Sequence, residues 1–196
     1  MKRKLSPLFL IITASVIQLI FSSCAYKLSS ESDSLPGNVK IIQIPLFIND
    51  SAEVGAETMF TNSLKSEALR SKFVQLKNDD EFVEAILQGR ITGIDNIADE
   101  SVIEAKNTKY LPTETVIATQ YKVSASIELK LIRKGSSAIL WSGSFRQGSN
   151  YSAPQITLPV INTSNALYNH SAKRQTLDAL SKEMMQAAFD RILEDF

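Results

Sequence analysis

The chain has 196 residues, of which 44% are hydrophobic and 21% charged, with 21 Lys and Arg balanced by 21 Asp and Glu. That balance excludes the basic signature of a nucleic-acid binder, and the length suits one domain with a sizeable core rather than two. A single cysteine excludes an intramolecular disulfide, so the fold rests on its core.

Met1-Lys2-Arg3-Lys4 is a basic start, followed after Pro7 by an apolar run over residues 8–21 that Thr13, Ser15 and Gln18 interrupt. An unbroken bilayer span needs roughly 20 apolar residues, so residues 1–23 read as a signal peptide rather than a transmembrane helix. Phe21-Ser22-Ser23-Cys24 resembles a lipobox, in which small residues admit a lipoprotein signal peptidase, although Phe21 stands where leucine is usual. Cys24 is therefore the expected lipid anchor, carrying a covalent diacylglycerol and an N-acyl chain. Each buried methylene contributes roughly 0.8 kcal/mol, so several chains hold a protein on a membrane almost permanently. Ala25, in place of the aspartate that marks inner-membrane retention in well-studied Gram-negative bacteria, favours the periplasmic face of the outer membrane. Loss of Lys2, Arg3 and Lys4 leaves 18 cations against 21 anions, a mature charge of −3.

Residues 24–37 are rich in serine and end in Pro36-Gly37, which suits a flexible tether. A single domain is expected over residues 38–196. Residues 39–47 are β-branched and apolar on both alternations, a strand covered on both sides with Pro45 near its end. Asp50-Ser51-Ala52-Glu53 has capping-box spacing and predicts a helix, in which Phe60, Leu64 and Ala68, flanked by Val54, Met59 and Leu69, form the packed face. Residues 85–94 predict a second strand, with Gly89 and Gly93 on one face to admit a close helix or mark a bend.

The clearest strand covers 116–132, where Val123, Ala125, Ile127, Leu129 and Leu131 alternate with Lys122, Ser124, Ser126, Glu128 and Lys130. After the turn-forming Lys134-Gly135-Ser136-Ser137, residues 138–145 complete a hairpin. Strands two and three form another, joined by residues 95–115, whose apolar parts near Val102 and Val116 extend both strands. An irregular loop is expected over 148–170. Leu177, Leu180, Met184, Ala188 and Ile192 then mark a second amphipathic helix, opposite Asp178, Lys182, Gln186 and Asp190. The fold class is α+β: a two-layer sandwich of a four-stranded mixed sheet with two amphipathic helices on one face.

Catalytic chemistry is thinly represented. His170 is the sole histidine, in a polar run that suits a surface position, and no metal-protease, phosphate-loop or nucleophile-elbow motif occurs. The acidic groups Asp79-Asp80-Glu81 and Asp99-Glu100 read as solvated loops, because neighbouring carboxylates there diverge and lack calcium-loop spacing. Trp141, in the run Ile139-Leu140-Trp141, reads as core. The expectation is a binding or assembly module with no cofactor, no metal and no enzymatic activity.

Several stretches resemble the LptE family of lipopolysaccharide-assembly lipoproteins. Cys24-Ala25-Tyr26-Lys27-Leu28 is similar to that family's opening of cysteine, glycine, aromatic, any residue and leucine, with Ala25 in the glycine's place. Residues 40–49 resemble its first strand and turn, Gln120-Tyr121-Lys122-Val123 the start of its third strand, and Lys182-Glu183-Met184 its last helix. The resemblance implies a plug inside an LptD-like outer-membrane β-barrel, helping that barrel to assemble and lipopolysaccharide to cross. It also implies basic residues that bind lipopolysaccharide near the final helix and in the hairpin between strands two and three. The first position falls on Lys173, with Arg174 beside it. The second falls near Glu114, of the wrong sign, with Lys106 and Lys109 earlier in the same loop. A different non-enzymatic role, activating or scaffolding a periplasmic cell-wall synthase, suits a tethered strand-helix start as well.

Overall fold

The computed structural model describes residues 34–78, 80–99, 102–104, 116–118, 120–152 and 166–194. In chain order these form β1 (Ile41–Gln43), β2 (Ile48–Asn49), α1 (Ala56–Arg70), β3 (Gln75–Leu76) and a 3₁₀ turn (Asp80–Phe82). There follow β4 (Ala85–Ala98), β5 (Val102–Glu104), β6 (Val116–Ala118), β7 (Gln120–Arg133), β8 (Ile139–Ser152) and α2 (Ala166–Glu194). The signal-peptide and lipid-anchor residues, Cys24 included, lie outside the described residues.

The class is α+β as expected, but the main sheet has six strands rather than four, ordered β3-β1-β4-β7-β8 with β2 also on β4. Two causes account for the difference. The expected first strand is interrupted: β1 and β2 pair with β4 in parallel along the same edge, Ile42 opposite Ala85 and Ile48 opposite Arg90. Six residue steps on one side thus span five on the other. The extra residue falls around Pro45, which has no N–H to give to a ladder. In addition, a two-residue strand, β3, returns from α1 and pairs with β1 in parallel, Ile41 opposite Gln75.

The centre is an antiparallel meander of three 14-residue strands, β4, β7 and β8. Inward residues follow the alternation: Val123, Ala125, Ile127, Leu129 and Leu131 of β7 are buried against Ala85, Leu87 and Ile91 of β4. A register shift between Ile91 and Gly93 then changes the phase of β4, so that Ile94 pairs with the inward Ala125 and Gly93 with the outward Ser126. The two glycines expected on one face therefore part. Gly89 stays inside, where a Cβ would lie within 2.4 Å of the Phe47 ring, so it seats that aromatic rather than a helix. Gly93 has nothing within 4 Å and sits at the bulge. β5 and β6 pair as expected, Ile103 opposite Ile117, in a separate two-stranded ribbon.

The expected loop at 148–170 begins as strand, since β8 runs to Ser152, and its end is helical, because α2 starts at Ala166. A 29-residue helix extends about 43 Å at 1.5 Å per residue, close to the length of the long strands. Its predicted stripe, Leu177, Leu180, Met184, Ala188 and Ile192, is buried throughout, widened by Met185 and Phe189. On α1, Phe60, Leu64 and Ala68 are fully buried, whereas Leu69, and Val54 ahead of the helix, face solvent.

The helices touch through small residues, with Ser63 and Ser181 hydroxyls 3.0 Å apart in the core. Ser181 donates its own proton to Asp178 O at 2.8 Å, which makes Ser63 the donor of the pair. Residue numbers rise together along the contact, from Glu53 beside Lys173 to Ser63 beside Ser181. The helices are thus parallel, and both cover the inward face of the sheet; among the described residues no helix or strand covers the opposite face.

At the sheet end where β4 starts and β7 finishes, the chain enters through a tight turn. Leu35 and Val39 bridge and are buried, while Gly37 and Asn38 take left-handed conformations. The left-handed φ of Gly37 favours glycine there, and the Arg133 guanidinium donates to Gly37 O at 2.6 Å. Packing therefore reaches back to Leu35.

Candidate functional site

The capping box expected at Asp50 to Glu53 does not form. α1 begins at Ala56 behind Gly55, which has a left-handed conformation and offers no side-chain cap. Asn49 organises the segment instead. Its carbonyl oxygen accepts from Ser51 N–H at 2.9 Å and Ser51 hydroxyl at 2.6 Å, an Asx turn. Its amide donates to Glu53 O and to the Glu57 carboxylate, each at 2.8 Å. The Glu57 carboxyl is held below its ordinary range, first by its own backbone N–H, then by the Asn49 amide and the Gly55 N–H, against an opposing desolvation effect.

This turn presents the Glu53 carboxylate to Lys173 of α2. The two form an ion pair in which both side chains are about four-fifths covered. Lys173 thus ties the last helix to the entry of the first. Arg174, the next residue, is exposed, and its guanidinium lies 3.8 Å from the Cβ position of Gly55, over the uncapped start of α1.

Arg174 opens onto a groove of roughly 500 Å³ between the outer sides of the helices, which Asn62, Ser66, Arg70 and Lys182 also line. Other charges there are engaged: Arg70 pairs with Glu67 and Lys182 with Asp178, while Glu183 accepts from Gln147. Among the described residues Arg174 has no ion-pair partner, so it is the cation this groove offers to an external anion. Lys106, Lys109 and Glu114 lie outside the described residues.

The family model for LptE, described as lipopolysaccharide-assembly, matches residues 39–196. The chain belongs to the LptE family. No curated protein matches it. Among solved structures, it is similar to a hypothetical protein of Chlamydia trachomatis (7% identity, 79% of this chain and 96% of that one, TM-score 0.49). It is also similar to the uncharacterized lipoprotein B of Nitrosomonas europaea (13%, 83% and 89%, 0.45). A third is a minor lipoprotein of Acinetobacter baumannii (11%, 76% and 89%, 0.40).

The family match spans every described strand and helix of this LptE-family domain. His170 is exposed on α2, and Trp141 is buried against Phe145, the rings 6.3 Å apart. Among the described residues no group of three or more His, Cys, Asp and Glu converges. Asp99 accepts from Asn150 at 2.9 Å, which fixes the end of β4 to β8. Sequence reasoning missed Glu53 as the partner of Lys173, because the spacing that assigned Glu53 to a helix cap concealed a contact 120 residues away.

Proposed function

We propose that this protein is an outer-membrane lipoprotein of the lipopolysaccharide transport machinery, anchored at the periplasmic face through acylated Cys24. In this reading it is the plug and assembly partner of an LptD-like β-barrel. The match to the LptE family over residues 39–196 is the observation that carries the proposal. The role needs no covalent chemistry and no cofactor beyond the lipid on Cys24; it needs a rigid surface and a few well-placed cations. A two-layer domain whose outward sheet face is mostly polar suits a hydrophilic barrel lumen.

Within that reading, Arg174 contacts lipopolysaccharide phosphate, together with Lys106 and Lys109 of the long hairpin. Lys173, engaged by Glu53, holds α2 so that Arg174 stays over the groove. Purifying the lipidated protein from membranes tests the partnership: a large outer-membrane barrel is expected, and a peptidoglycan synthase in its place rejects the reading. Lipopolysaccharide capture tests the cation. A charged hydrogen bond is worth roughly 1.5–3 kcal/mol, so Arg174→Asp should weaken capture about tenfold or more; unchanged capture removes Arg174 from the site.

A further inference from the structure

The main sheet has two unlike margins. One is made of β3 and β2, each two residues long. The other is β8, 14 residues long, with no strand beyond it among the described residues. Three hydrogen bonds fix which way its backbone groups turn. Asp99 N donates to Gln120 O and Lys134 N to Glu84 O, at the two ends of the β4–β7 pair, so the even-numbered residues of β7 turn toward β4. Arg133 N donates to Ala138 O, so the odd-numbered ones turn toward β8. β7 and β8 keep one register from Gln120 opposite Ser152 to Leu131 opposite Trp141. The odd residues of β8 are therefore bound to β7, while Ser142, Ser144, Arg146, Gly148, Asn150 and Ser152 turn N–H and C=O to the free margin. All six are exposed, and they span about 34 Å.

Natural edge strands are short or carry lysine, proline or bulges, because unpaired backbone recruits further strands. β8 has no lysine and no proline, and its register shift lies at its start, between Ile139 and Trp141. Its single charge, Arg146, leans across β7 toward Asp95 of β4 at 3.8 Å and leaves the margin clear. On the inward side Phe145 is half-buried, with the Trp141 ring at 6.3 Å and the Arg191 guanidinium at 5.8 Å. A further strand would complete the cover of this aromatic rim.

We infer that β8 is a docking edge, which takes up as an added strand an extended segment of the barrel partner with an acidic side chain beside Arg146. The inference rests on the partnership proposed above and names its contact. Main-chain hydrogen bonds give such an addition its affinity, and alternate side chains give it specificity. A closed barrel pairs every wall strand on both sides. The segment therefore comes from a loop folded into the lumen, as in barrels plugged by their own loops. A second copy of this chain is a poor occupant. Antiparallel pairing of β8 with itself over its full length sets the two Arg146 residues opposite or diagonal to each other, and β8 holds no acid to offset them.

Residue-resolved amide hydrogen exchange of the full lipidated chain in detergent, alone and in its purified complex with the barrel, tests the contact. Alone, the even amides from Ser142 to Ser152 should exchange fast and the odd ones slowly. In the complex the even amides should slow to the rate of the odd ones. Even amides that stay fast in the complex overturn the contact while leaving the partnership intact. Even amides already slow in the free monomer assign the margin to another segment of this chain, and slow ones in a free dimer assign it to a second copy; either overturns the contact. Failure of the parent chain to recover any barrel rejects both readings. Arg146→Glu, its fold checked by Trp141 emission, should recover several-fold less barrel than the parent, and equal recovery removes the acidic complement and overturns the proposed occupant.

Discussion

Gly89 and Phe47 meet so closely that neither residue explains itself alone. The ring occupies the space a side chain at 89 would need, and a buried Thr61 hydroxyl fixes Phe47 by accepting its N–H at 3.0 Å. Gly89→Ala should therefore destabilise the fold by about 1–3 kcal/mol, the usual cost of overpacking, read as a lower denaturant midpoint. Lys173 and Arg174 make a sharper pair, because adjacent cations have different tasks. Lys173→Met strands the Glu53 carboxylate in a mostly covered site and should cost about 1–3 kcal/mol of stability. Arg174→Ala should stay within roughly 0.5 kcal/mol of the parent, its effect confined to anion capture. Equal losses from the two substitutions would refute this division. Glu57 predicts a pH response. Its folded-state pKa is depressed, so its contribution is present above the ordinary carboxylate pKa of about 4.5 and is lost as pH falls through the folded value. Glu57→Gln should accordingly flatten the fall of thermal stability with pH below about 4.5, and an unchanged slope would exclude the group.

Elements were legible in proportion to how local their causes are. The stripe from Leu177 to Ile192 and the alternation from Val123 to Leu131 are written in single segments, and both pack as their periodicity implies. The break of the first strand into β1 and β2 depends on Pro45 but also on the register of β4, a distant segment. The failed capping box has a similar origin, since Asn49 competes for the same backbone groups through an Asx turn. Parity was the missed clue for the open face. Ile132 follows the inward Leu131, so it falls in the wet phase of β7, and the shift in β8 brings Ile139 opposite it. An apolar residue in the wrong phase is a surface signal that periodicity alone assigns to the core. The helix pair carries its own prediction: Ser63 and Ser181 set the close approach, so Ser181→Leu should force the helices apart and cost about 1–3 kcal/mol, measured by denaturant unfolding.

At the scale of the whole molecule, Cys24 is expected to set position, and the sheet sets direction. The tether leaves from the end where β4 begins, and the ribbon of β5 and β6 continues the β4–β7 hairpin from the opposite end. Strands of 14 residues separate the two by about 46 Å. The parallel helices give this axis an electrical sense. α1 returns toward β3, beside the start of β1, so both helices end near the tether and begin away from it. Their peptide dipoles add, each leaving roughly half a positive charge at its start. The two starts are staggered, since α2 begins at Ala166 and Gly55 lies beside Arg174, and Glu53 and Glu57 offset the pole of α1. Arg174, with no such acid of its own, leaves the head of the pair attractive to whatever negative group arrives from the far side.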